Sequence, residues 1–107
     1  MAKYIANAFS LAMLKSDCSI SVKEVSLDEA IIFLKNGAQS AIGHQSTAEF
    51  VTMVTGVPTV ANRIALSLVS GDKLLVLQLL GRLPEGAVLT QEDLAKVPSK
   101  WYLVEVL

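Results

Sequence analysis

The chain has 107 residues, 52% of them hydrophobic, and a formal net charge of −1, which fits one globular domain with its own core and no need of disulfides or metal. Near neutrality excludes general binding of duplex nucleic acid, since that takes a basic surface to displace counterions from many phosphates. A small anion held by a few focused cations is still compatible, and of the nine basic residues only Arg63 and Arg82 carry the guanidinium suited to bidentate phosphate contact.

Tyr4, Ile5 and Ala6 predict a first strand, ending in Asn7-Ala8-Phe9-Ser10, where short polar side chains can bond the backbone or a ligand. Ser10 is placed to cap a short helix over 11–15 whose Leu11, Met13 and Leu14 face the core. Cys18 is the only cysteine, so no intramolecular disulfide can form; a reducing, cytoplasmic setting and a small filler role beside a strand are expected. Residues 19–25 alternate, with Ile20 and Val22, and at the end Val25, inward, as in a half-exposed strand. Ser26 and Glu29 form a capping box for a helix carrying Leu27, Ala30, Ile31 and Leu34, stopped at Asn36-Gly37.

A short strand over 39–42 leads into Gly43-His44-Gln45-Ser46-Thr47, which contains the only histidine. Ser46 followed by Glu49 reads as a second capping box, placing His44 just outside a helix over 47–55, where free N–H groups favour an anion. Gly43 is expected to allow a tight turn and the close approach of a ligand. Gly56 and Pro58 end that helix. Residues 64–69 and 73–80 predict two strands joined as a hairpin by Ser70-Gly71-Asp72, the second apolar enough to be central. Its run Leu74–Leu80 is interrupted by Gln78 and is far too short to span a bilayer, so no membrane partner is expected. Residues 81–89 hold Gly81, Pro84 and Gly86 around Arg82 and Glu85 and predict a loop or lid, followed by a short polar helix from Thr90 to about Val97. A strand over 101–107 closes the chain. The expected fold is α+β: one domain over 1–107, about five strands in a mixed sheet flanked by helices, with the lid near 81–97.

Separately, each candidate site residue has an ordinary explanation. A lone histidine at a helix start is commonly satisfied by hydrogen bonds, a loop Arg–Glu pair is commonly a solvated ion pair, and Ser and Asn are good caps. The ordered set is more specific. Asn7-Ala8-Phe9-Ser10 with Met13-Leu14, then Ile42-Gly43-His44-Gln45-Ser46-Thr47, then Asn62-Arg63, then Arg82-Leu83-Pro84-Glu85-Gly86-Ala87-Val88-Leu89, resembles the viral ring nuclease family of type III anti-CRISPR proteins over nearly the whole chain. The resemblance implies a homodimer that binds cyclic tetra-adenylate and cuts it without a metal ion or other cofactor. It implies His44 as general acid, Arg82 and Glu85 as further catalytic residues, and Asn7, Ser10, Gly43, Ser46, Thr47 and Arg63 as ligand-binding positions. Gly81, where a polar residue is expected, and the stiffening Pro84 depart from the pattern and bear on how the lid closes. The alternative is a non-catalytic dimeric module that binds or sequesters a cyclic nucleotide through the same cleft.

Overall fold

The strand Lys73–Leu79 organises the molecule, because its side chains alternate between two separate cores and both of its edges are paired. The computed structural model describes residues 2–80 and 98–107. It contains β1 (Lys3–Ala6), β2 (Ile20–Val25), β3 (Gln39–Ser40), β4 (Lys73–Leu79) and β5 (Ser99–Val106), in the sheet order β2-β5-β4-β1-β3. Among the described residues there are also two α-helices, α1 (Leu27–Lys35) and α2 (Gln45–Thr55). β1 lies parallel to both β3 and β4, while β5 runs antiparallel to β4 and β2. This is the expected α+β fold around a five-stranded mixed sheet.

The period-2 alternation of β4 sends Leu75 and Leu77 to one face and Leu74 and Val76 to the other. On the first face they meet Ile5 of β1, Trp101 of β5, Ala30 and Leu34 of α1, and Ala48, Phe50 and Val51 of α2. On the second they meet Ala6, Val104 and Val106, covered by Leu66 and Leu68. Burial of side chains of this size stabilises by about 1.5–3 kcal/mol each, so the two layers are the main source of stability.

Both helices cover the first face only. The second is closed by irregular chain and by a 3₁₀ turn, Leu11–Met13, whose first amides are capped by Ser10. That turn is shorter than the expected helix, and Leu11 is 75% exposed rather than in the core, while Met13 and Leu14 do pack inward.

The expected hairpin does not form. Residues 64–69 are not a strand, although their alternation is genuine: Leu66 and Leu68 are buried and their neighbours exposed. β4 already has β1 on one edge and β5 on the other, so the segment lies over the sheet and makes a single bridge, with the Leu68 amide donating to the Met13 carbonyl at 2.7 Å. In β2, Val22 is 58% exposed because it sits on an edge strand beyond the reach of that cover, and Val25 points to the opposite face from Ile20 and Val22. Cys18 is exposed and fills no core space. The capping box at Ser26 and Glu29 is present, with the Glu29 amide donating to Ser26 Oγ at 3.1 Å.

Asp72 ties the start of β4 to three other parts of the chain. Its carboxylate accepts from the amides of Ala2 and Val69, each at 3.0 Å, and its carbonyl accepts from the Val106 amide at 3.1 Å. Gly71 makes the preceding turn at a φ of 93°, a left-handed conformation open to glycine. Burial by itself would raise the Asp72 carboxyl, but the hydrogen bonds from Val69 and Ala2 outweigh it and hold the group below its ordinary value.

A carboxyl depressed in the folded state contributes stability above its unfolded value, near pH 3.9, and that contribution is lost as pH falls through the lower folded value. Asp72→Asn leaves one backbone donor unmatched and is expected to cost about 1–3 kcal/mol at pH 7, with the gap to the parent protein narrowing toward pH 3. Urea unfolding at both pH values measures the change.

Candidate functional site

The carboxyl ends of parallel β1 and β3 lie side by side, and the chain leaving each carries polar groups into the same corner. In open sheets this end of the strands is where ligands bind. β1 delivers Asn7, whose Oδ1 accepts from the Gly43 amide at 3.4 Å. β3 is followed by Ile42, which is buried and anchors the turn, then by Gly43 and His44.

His44 is itself the N-cap of α2, with extended φ and ψ of −129° and 132°, and its side chain makes no cap hydrogen bond. The expected Ser46–Glu49 capping box is therefore absent: α2 begins at Gln45, and Ser46 and Thr47 lie inside its first turn. The first intrahelical bond runs from the Ala48 amide to the His44 carbonyl at 3.1 Å, so the amides of Gln45, Ser46 and Thr47 precede the ladder. The helix is held by buried Thr47, Ala48, Phe50 and Val51 and stopped by Gly56 at a φ of 73°. The imidazole is exposed and has no hydrogen-bond partner among the described residues, beside a helix N-terminus that favours negative charge.

Arg63 reaches this corner from an extended segment that follows the outer edge of β3. The Asn62 amide donates to the Ile42 carbonyl at 2.8 Å, and Asn62 Nδ2 donates to the Ser40 carbonyl at 2.8 Å. Ser40 answers by donating its hydroxyl to the Val60 carbonyl at 2.6 Å. The Arg63 stem then lies over Gly43, where a Cβ would meet Cγ at 3.7 Å and Cδ and Nε at 4.0 Å. Gly43 is not among the glycines with positive φ, so the tight-turn reading of it is corrected: its lack of a side chain leaves room beside the arginine.

The structure thus brings together Asn7, Gly43 and Arg63, with His44 and Ser46 next along the chain, while Thr47 is buried. Ser10 lies three residues past Asn7 and its Oγ accepts from Ala12 at 3.2 Å; among the described residues no hydrogen bond joins it to the cluster. Arg82 and Glu85 fall, with the rest of the expected lid over 81–97, outside the described residues. Leu80 and Pro98, which bracket that segment, are joined by a 2.8 Å backbone bond beyond the carboxyl end of β4. Ser40 was not a candidate on sequence, and Asn62 stood only beside Arg63 in the motif pattern; they are 22 residues apart, and no spacing signals the bonds by which they hold the chain leading to Arg63. Among the described residues no helix is long and apolar enough to cross a membrane.

A family model described as STIV B116-like matches residues 3–101. The chain belongs to the STIV B116-like family. B116 of Sulfolobus turreted icosahedral virus has the same fold, with a TM-score of 0.86 at 26% identity over 98% of this chain and 99% of its own. Relatives include uncharacterized protein 26 of Sulfolobus islandicus filamentous virus, 37% identical over 97% of this chain and 91% of its own. Uncharacterized protein ORF116 of Acidianus filamentous virus 1 is 33% identical over 91% of this chain and 85% of its own. Uncharacterized protein YddF of Bacillus subtilis is 34% identical over 77% of this chain and 79% of its own. The family thus has members in viruses and in a bacterium.

Asn62→Ala orphans the Ser40 carbonyl in a half-buried place and is expected to cost about 1–3 kcal/mol. Gly43→Ala meets only ordinary contact distances and is expected to stay within about 0.5 kcal/mol of the parent. Chemical denaturation of the two variants side by side checks the contrast.

Proposed function

We propose that this protein is a metal-independent ring nuclease. In this reading it binds cyclic tetra-adenylate as a homodimer and cuts it to linear di-adenylates ending in 2′,3′-cyclic phosphate, thereby switching off type III CRISPR signalling. The observation that carries the reading is the exposed imidazole of His44 at the N-cap of α2, with the Arg63 side chain laid across the neighbouring Gly43. Membership of a family with viral members and the ordered motif pattern support it.

A cyclic oligoadenylate carries its own nucleophile, the ribose 2′-hydroxyl beside each phosphate. The protein has to align that hydroxyl with the departing oxygen and stabilise the charge that develops on phosphorus. The O2′–P bond forms as the P–O5′ bond breaks; the hydroxyl proton passes to solvent, and protonated His44 gives its own proton to O5′. The α2 amides and Arg63 hold the phosphate, and Asn7, whose Oδ1 accepts from Gly43, offers its Nδ2 hydrogens to the nucleotide. Arg82 offsets the developing charge, Glu85 completes the site, and Ser10 contacts the ligand from the end of β1. A two-fold dimer sets two copies of His44 about a four-fold ring, so cuts at opposite phosphates follow.

Incubation of the protein with labelled cyclic tetra-adenylate in excess EDTA is expected to yield linear di-adenylates. An intact ring after long incubation with excess protein would overturn the nuclease reading. His44→Ala is expected to lower the cleavage rate about 10²–10⁴-fold while largely retaining binding. Binding with no cleavage by either form would instead identify a sequestering module. Light scattering is expected to show a dimer, and a strict monomer would remove the symmetric scheme.

A further inference from the structure

A second site lies at the other end of the sheet. Beneath α1 is a cavity of about 320 Å³ whose floor is Leu75 and Leu103 and whose wall includes Ile32 and Phe33. Its size is at the lower end of the range of small-molecule pockets. α1 lines it with Glu29, Ile32, Phe33 and Asn36, a stripe at i, i+3, i+4 and i+7, while the neighbouring stripe of Ala30 and Leu34 packs into the core. Ile32 is left 61% exposed on that first stripe, so the helix presents apolar surface that the described residues do not cover.

The polar part of the cavity is cationic. Lys3 and Lys73 are direct register partners on parallel β1 and β4 and both line it. Like charges placed opposite each other on neighbouring strands are destabilising unless something offsets them. Among the described residues the one ion pair joins Lys100 to Glu24, so Glu105, the register partner of Lys73 on β5, makes no direct ion pair with it. Glu29, the acid in the lining, has an oxygen 3.4 Å from the Ser26 hydroxyl in the α1 cap. Lys3 Nζ sits 5.9 Å above the Phe33 ring, which keeps its charge beside the apolar wall.

We propose that this cavity binds a small amphipathic carboxylate, with its apolar body against Leu75, Leu103, Ile32 and Phe33 and its carboxylate between Lys3 and Lys73. Lys3 and Lys73 open β1 and β4, whereas His44 follows the carboxyl end of β3, so this site is separate from the proposed nuclease centre.

Octanoate serves as the probe, followed by amide chemical shifts in NMR, with octan-1-ol and inorganic phosphate as the uncharged and tail-less controls. Octanoate is expected to saturate shifts around Phe33, Lys73 and Leu103, with each control binding at least about tenfold more weakly, a difference of about 1.4 kcal/mol. Lys73→Met, which keeps the apolar stem, is expected to weaken octanoate about tenfold; Lys3→Met supplies an independent variant. No saturable shift with octanoate, equal binding of either control, or unchanged affinity in both variants would each overturn the proposal. Cleavage of cyclic tetra-adenylate by Lys73→Met is expected to match the parent, so failure of one site is distinguishable from failure of the other.

Discussion

The sheet and both of its cores are fixed relative to β4, a strand with no free edge and no free face. Its backbone is paired to β1 on one side and β5 on the other, and Leu74 to Leu77 are all buried. A strand in that position imposes its register on its neighbours, since a slip of one residue would exchange the two cores. Asp72 secures the register at the start of the strand by joining the chain preceding β1, the turn before β4 and the end of β5. Asp72 as a residue is buried, a place where an acceptor without donors would be costly, and its carboxylate receives two backbone donors.

The candidate site lies where this rigid frame ends. Parallel pairing of β1 with β3 brings Asn7 next to Gly43, and the start of α2 puts His44 one residue beyond. Arg63 belongs to no element, yet the reciprocal bonds between Ser40 and the 60–62 segment tie the chain just before it to the sheet edge. A flexible cation is thereby given a fixed root, which lowers the entropy lost when it closes on an anion.

Much of the fold was readable from residue order, and the departures share one cause. The Ser26–Glu29 cap, the Asn36-Gly37 and Gly56 stops and the all-apolar β4 are local signals, and all are present. Residues 64–69 misled because alternation reports which side chains are buried, while strand pairing depends on whether an edge is vacant; β4 had none. Ser46 misled because a hydroxyl followed three residues later by a glutamate is a capping pattern only if the helix begins there. α2 starts at Gln45, where the path out of β3 delivers it. The cluster of Asn7, Gly43 and Arg63 could not be read from spacing, because the parallel β1–β3 pairing and the Asn62 bonds that create it are tertiary. The paired lysines of β1 and β4 were hidden for the same reason.

Parallel pairing also has a temporal side. The amide of Ala2 and the carboxylate of Asp72 are separated by 70 residues, and β1 has no sheet partner nearer in sequence than Gln39. β1 can meet β3 once residues 39–40 are present, but its second edge stays unpaired until β4 emerges, and loop closure over that length precedes any gain from the β1–β4 contacts. Assembly of this small domain waits on distant pairings, β1 with β4 and β2 with β5, and the corner holding Asn7 and His44 is completed only when β1 docks.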